Sequence, residues 1–314
     1  MKASIHLEGE PMTKAKKTAG QVTNDICASI TDRILAALEE GTVPWRKPWQ
    51  GGESGLPYNA ASNRHYNGIN VWNLHLAAQF KGYSDPRWLT FKQARAKGGS
   101  VRKGEKSETA IFWKVLRKEE GGEEKRFAFL KAYRVFNVQQ CDGLDLAPIV
   151  DTVSDHDPIA SGEEIKKGYV DELRGGFHHG GGRAFYSPSE DRVQLPKLES
   201  FESAEAYYST LFHELCHSTG HRSRLAREEV INPARFGDHT YAREELVAEF
   251  GASFLCGIAG IERGDSIAQS AAYIAGWKRA IKNDPRALVV AAGHGEKAAR
   301  RVLKRETVVG GGEV

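Results

Sequence analysis

No apolar run in this 314-residue chain approaches the roughly 20 residues a membrane span needs, and residues 1 to 20 lack the apolar core of a secretory signal. A cytoplasmic protein with no membrane partner is the expectation. Cysteine is scarce. Cys27, Cys141, Cys216 and Cys256 stand far apart without paired spacing, which excludes a disulfide framework and a Cys-rich zinc cluster. Internal repeats are absent, and a net charge of +3 gives the whole chain no strong sign. What is present is an apolar content of 40%, enough for real cores and too much for a disordered chain, in a length that accommodates two domains.

The near-neutral total hides two unlike halves. Residues 1 to 135 carry 23 Lys+Arg against 14 Asp+Glu, a net +9, and residues 136 to 314 carry 21 against 27, a net −6. Five of the six tryptophans lie between Trp45 and Trp113, inside the basic half. A basic track interleaved with aromatic faces is how single-stranded nucleic acid is held without sequence preference, bases stacking while cations follow the phosphates. The segments that fit are Pro44-Trp45-Arg46-Lys47-Pro48-Trp49, Asp85-Pro86-Arg87-Trp88, and Val101-Arg102-Lys103-Gly104-Glu105-Lys106. Trp45, Arg46, Lys47, Trp49, Trp88, Lys92, Arg102, Lys103 and Lys106 are the candidate contacts to single-stranded DNA.

Periodicity makes this half α+β. Ile26, Ile30, Ile34 and Leu38 form a helical stripe closed by Gly41, Asn70 to Phe80 form a second helix closed by Gly82, and Thr90-Phe91-Lys92-Gln93 has the form of a capping box. Ala110 to Leu116 and Lys125 to Phe136 alternate as strands around Gly121-Gly122. From Asn137 to Gly162 acids and prolines interrupt any period, as in a linker. Farther on, Arg183 to Tyr186 and Arg192 to Leu195 read as a short hairpin, and Asp284-Pro285 opens a last helix.

The chemistry is concentrated in His213-Glu214-Leu215-Cys216-His217. Ala204, Tyr208, Leu211, Phe212 and Leu215 recur at helical spacing after Ser203, so the run lies on a helix with both histidines at i and i+4, off the apolar stripe. Two imidazoles on one face can hold one metal ion, and Glu214 can sit beside a water to act as general base. A third ligand is expected from the helix Tyr241 to Ala252, where Glu245 and Glu249 share a face. Glu245 is the first choice as ligand, with Glu249 accepting the other ring hydrogen of a ligating histidine. His221 offers a three-histidine alternative. On an unbroken helix it stands about 12 Å along the axis from His213, so a catalytic role at the rim, or a cap on the helix end, competes with ligation. The ion expected is Zn2+, with another divalent metal as an alternative.

Those phrases, with Asn67-Gly68-Ile69-Asn70, Trp88 to Gln93, His213 to His221 and Glu244 to Phe250, resemble the ArdC-type antirestriction proteins of conjugative plasmids over roughly residues 20 to 305. The resemblance implies a single-strand DNA-binding domain over 20–136, a linker over 137–162 and a zincin-like, mainly helical metallopeptidase domain with a small antiparallel sheet over 163–307. It also implies protection of plasmid DNA from host restriction, and an edge strand that holds an extended peptide in the place of the short hairpin. Three modes of action stay open at this point. The protein is a protease cutting a host restriction or DNA-associated protein, a DNA binder whose metal is structural, or a decoy contacting the restriction enzyme through its acidic half.

Overall fold

The isoleucine stripe lies along α1 (Ala19–Glu39), where Ile30, Ile34 and Leu38 are buried. A computed structural model of the chain describes residues 19–40, 55–120, 123–149, 157–232, 239–262, 277–278, 281, 284 and 286–305. Next come β1 (Tyr58–Asn59), α2 (Ile69–Lys81), which Gly82 caps, and β2 (Arg87–Thr90). The expected capping box is formed: the Thr90 side chain accepts from the Gln93 N–H, the Gln93 side chain accepts from the Thr90 N–H, and α3 (Phe91–Ala96) follows. The long alternating runs are β4 (Glu108–Glu120) and β5 (Glu123–Asn137), antiparallel with Glu120 opposite Glu123. Gly121 and Gly122 lie outside the described residues. The sheet order is β1-β2-β5-β4, with β1 parallel to β2 and the other pairs antiparallel.

β4 ends that sheet, and α2 covers its free edge. Asn70 donates through Nδ2 to the Ile111 carbonyl (2.7 Å) and accepts through Oδ1 from the Ile111 N–H (2.8 Å), while Asn73 donates to the Thr109 carbonyl (2.8 Å). A buried asparagine thereby takes the place of the missing neighbouring strand.

Beyond Asn137 the chain does not leave this fold at once. Val138–Gln140 make a 3-10 turn, and β6 (Cys141–Asp142) pairs with β3 (Ser100–Val101). α4 (Pro158–Tyr169), capped by the Asp157 carboxylate, starts inside the stretch read as linker. The second half continues with β7 (Phe177–His179), β8 (Phe185–Ser187) and β9 (Arg192–Leu195) in the order β7-β9-β8. β8 and β9 form the expected hairpin; β7, parallel to β9, was not anticipated. The helices are α5 (Ala204–Ser218), α6 (Glu228–Ile231), α7 (His239–Ala259) and α8 (Ala287–Val302).

The two halves differ in charge yet share one hydrophobic core. Trp72 of α2, fully buried, meets Phe254 (5.1 Å between ring centroids, 66°) and Phe250 (5.8 Å) of α7. The Gly68 N–H, ahead of α2, donates to Glu296 of α8 (2.7 Å). α7 and α8 in turn approach to backbone contact: a Cβ on Gly295 would lie 2.6 Å from the Phe250 Cβ and 2.8 Å from the Gly251 nitrogen. Gly295→Ala is expected to destabilise the protein by about 1–3 kcal/mol. Gly293→Ala, with nothing within 4 Å of its Cβ, should not, and urea unfolding of the two variants checks the difference.

Candidate metal centre

α5 begins where Ser203 accepts from the Ala206 N–H (3.1 Å), with Glu205 in its first turn. Leu211, Phe212, Leu215 and Cys216 are fully buried, which fixes the helix's rotation and leaves His213 and His217 half-buried on the flank facing α7. The helix ends at Ser218. Gly220 lies just beyond, where a Cβ would come 2.4 Å from Val230 of α6, so the chain passes α6 without room for a side chain.

On α7, Glu245 reaches both histidines: its Oε2 is 3.5 Å from His213 Nε2 and its Oε1 3.6 Å from His217 Nε2. The two Nε2 atoms are 3.0 Å apart, and one donor atom from each of these three residues falls within 4.8 Å of the others. The opposite ring nitrogens are tied down. His213 Nδ1 meets Glu249 Oε1 at 3.0 Å, and His217 Nδ1 meets Glu244 Oε1 at 3.0 Å. A carboxylate accepting the Nδ1 hydrogen turns the Nε2 atom toward the ion, and the two Nε2 atoms face one point. That donor set, two imidazole nitrogens and one carboxylate, fits a divalent cation of the zinc class.

Glu244 is a site residue that the sequence reading missed, and its neighbour Arg227 another. Arg227 donates through Nε to Glu244 Oε2 (2.9 Å), through Nη2 to Oε1 (2.7 Å) and to the Cys216 carbonyl (2.8 Å), and through Nη1 to the Thr219 hydroxyl (2.8 Å). Burial would raise the Glu244 carboxyl, but its hydrogen bond from His217 and the Arg227 guanidinium hold it below its ordinary value.

Glu214, which follows His213 on α5, is 7% exposed and close enough to His213, His217 and Glu245 to feel their charges. Burial pushes its carboxyl up, against the pull of His213 and His217, and it accepts a backbone hydrogen bond from Tyr186 of β8. An edge strand thus lies against the helix that carries the histidines. His221 is elsewhere: its Nδ1 accepts from the Ser223 N–H (3.2 Å) and lies 2.8 Å from the Ser223 hydroxyl, in the turn after α5. The fold does not bring it into the cluster of His213, His217 and Glu245.

The hairpin and that turn are locked together by Asp191. Its carboxylate takes both Nη groups of Arg224, the Arg174 N–H (3.1 Å) and the Tyr186 hydroxyl (2.9 Å). Burial would raise this carboxyl, yet the Arg224 guanidinium with the other two donors brings it down to about 2. A depressed carboxyl stabilises the fold above its unfolded value of about 3.9, and the contribution vanishes as pH falls through the folded value. Acid unfolding is therefore expected to include a loss of about 2 kcal/mol between about pH 4 and pH 2 that Asp191→Asn abolishes. Stability measured against pH in both proteins checks it.

The expected DNA contacts fare unevenly. Trp45, Arg46, Lys47 and Trp49 lie outside the described residues. Trp88 is corrected: it is fully buried on β2, edge-to-face with Tyr83 at 6.2 Å, and offers no face to a base. β2 is flanked by β1 and β5, so this ring is core filling despite its polar sequence neighbours. Arg102 is exposed but braces its own loop, donating to the Gln139 carbonyl (2.6 Å), Glu105 (3.0 Å) and Asp142 (3.4 Å). Lys92, Lys103 and Lys106 are exposed.

Two helices presenting a His-Glu-x-x-His pair and a glutamate to one point, beside an edge strand, define a zincin-like metallopeptidase domain. Residues 167–294 match the family described by that name, and residues 24–136 match the N-terminal domain of the anti-restriction factor ArdC. The chain belongs to the ArdC antirestriction family and has its two-domain α+β architecture. It is 37% identical to the metal-free crystal structure of antirestriction protein ArdC from plasmid R388, which covers 90% of this chain and all of that one, with a TM-score of 0.70. The Mn(II)-bound structure of ArdC gives 38% identity, 89% and 97% coverage and the same TM-score. Among curated proteins, the uncharacterized protein y4eC of Sinorhizobium fredii is 33% identical over 290 residues, 89% of this chain and 92% of its own length. The DNA primase TraC of Escherichia coli is 37% identical over 298 residues, 88% of this chain, and the chain spans 27% of its length.

Proposed function

We propose that the protein shields incoming plasmid DNA from restriction by binding single strands through its basic N-terminal half and presenting a divalent-cation peptidase centre in the other. The observation that carries the peptidase reading is the convergence of His213, His217 and Glu245, with Glu249 and Glu244 on the outward nitrogens. Zn2+ is the first choice of ion for two imidazoles and a carboxylate, and the Mn(II)-bound ArdC structure of plasmid R388 keeps other divalent ions in play. Family membership and the net +9 of residues 1–135 support the DNA half. No described helix is long and apolar enough to cross a membrane, in keeping with work in the cytoplasm on DNA newly arrived there. A host restriction protein, or another protein on the DNA, is the substrate or target in this reading.

When bound, the cation supplies Lewis acidity, polarising a peptide carbonyl and acidifying water beside it. This chain's own residues do the rest. Glu214 takes a proton from the attacking water and returns it to the leaving amine, a task that suits a buried carboxyl whose affinity for protons is raised. β8 lies along the same side through the Tyr186 N–H and gives an extended peptide an edge to pair with. Arg227 and Glu244 position His217, and Glu249 positions His213.

A second reading has its own support. α5 and α7 are core helices, so a cation between them would also pin the fold, and DNA occupancy alone would then block restriction. A restricting host separates the two. Protection of unmodified incoming DNA that is lost in Glu214→Gln requires catalysis, and protection retained by Glu214→Gln but lost in His213→Ala assigns the ion a structural role. Elemental analysis of purified protein is expected to find a divalent ion in near-stoichiometric amount, none in Glu245→Ala, and about 10–100-fold weaker retention in Glu249→Ala.

A further inference from the structure

With Trp88 withdrawn into the core, the described part of the N-terminal domain still offers one cleft with the chemistry a base needs. It has a volume of about 430 Å3 and is lined by Tyr58, Asn63, His65, Lys97, Asp145 and Leu146 among others. Tyr58 and His65 stand opposite each other across a strand bridge, ring centroids 5.6 Å apart at 62°, with the His65 side exposed. The turn between them is rigidly built: the buried Asn59 accepts through Oδ1 from the Ala61 and Ser62 N–H groups (3.0 Å each) and donates to Gln93 (3.1 Å). The strap Asp145–Ile149 also lines the cleft, held by Arg87, which donates to the Ala147 carbonyl (2.6 Å) while its charge is matched by Asp85. Lys97 and Asp145 touch through their backbones (3.1 Å), and neither side chain has an ion-pair partner among the described residues. Arg64 and Lys92, nearby in the chain, are exposed.

We infer that this cleft holds one nucleotide of a DNA single strand, the base against Tyr58 and His65 with its polar edge toward Asn63 and Asp145, and the phosphate toward Lys97. An aromatic face for the base and an ammonium for the phosphate are the two contacts by which single strands are gripped without sequence preference. A cleft of this size admits a base only when it is out of its stack, which selects single strands over duplex. The inference rests on the proposed single-strand binding and locates it.

The test uses the full chain and a fluorescent thymidine oligomer, read by anisotropy across a salt series, with thermal unfolding to confirm that the variants fold. His65→Ala and Lys97→Ala are each expected to weaken binding about 10-fold, and Lys97→Ala to flatten the log–log salt slope by about 0.7, the value of one single-strand phosphate contact. Wild-type binding with both folded variants indistinguishable from it overturns the cleft and leaves the DNA reading standing. No binding by wild type overturns both. Displacement of the oligomer by dTMP at matching concentration assigns the cleft to free nucleotides and likewise overturns the strand proposal.

Discussion

Glu214→Gln is expected to lower metal-dependent peptide hydrolysis by about 10²–10⁴-fold while leaving metal content, DNA affinity and stability in place. The substitution removes only the ability to take a proton. Gln has the shape of Glu, and its side-chain oxygen still accepts the Tyr186 N–H that Glu214 accepts. Burial already disfavours the ionised carboxyl at this 7% exposed position, so a neutral amide costs the fold nothing and unfolding should come no earlier than in wild type. Cleavage is read by mass spectrometry on a library of extended peptides, because an edge strand such as β8 selects for extended backbone. Hydrolysis undiminished in the variant removes Glu214 from the chemistry.

Arg227→Ala is the second large effect and falls on stability and metal affinity together. Arg227 is 6% exposed, and its donors go to Glu244, Thr219 and the Cys216 carbonyl. Its loss strands the Glu244 carboxylate in the interior, a situation that costs about 3–5 kcal/mol. Glu244 is also the acceptor that fixes His217, so ion affinity should fall by a further 10–100-fold or so. Neutralising both partners in Arg227→Met with Glu244→Gln is expected to recover most of the stability, since no buried charge is then left alone. Denaturant unfolding of the single and double variants in chelator isolates the fold from the ion. A double variant as unstable as Arg227→Ala would mean that packing, not charge, is what Arg227 provides.

The residues that share a helical face were legible in the sequence. His213 and His217, then Glu245 and Glu249, each follow the i, i+4 rule, and geometry brings His213, His217 and Glu245 to one point with Glu249 behind His213. Glu244 was not legible. One residue before Glu245, it points about 100° round the helix, and only the way α5 lies across α7 turns it toward His217. Arg227 stands in an irregular segment whose sequence gives no sign that it will be buried. Trp88 misled for a related reason, because Asp85 and Arg87 beside it resemble surface, while strand pairing with Asn137 carries the indole inward. Apolar spacing in α2 and α7 showed that each had a buried face, but not that the two faces meet. That pairing of Trp72 with Phe250 and Phe254 makes two oppositely charged halves one core.

The central claim is that one divalent cation sits between α5 and α7, and anomalous diffraction at the zinc edge from crystals grown with Zn2+ tests it most directly. A single strong peak is expected about 2.0–2.2 Å from His213 Nε2, His217 Nε2 and a Glu245 carboxylate oxygen, with Glu249 and Glu244 on the outward ring nitrogens. A peak held by other residues, or none at all with Zn2+ present, would contradict it.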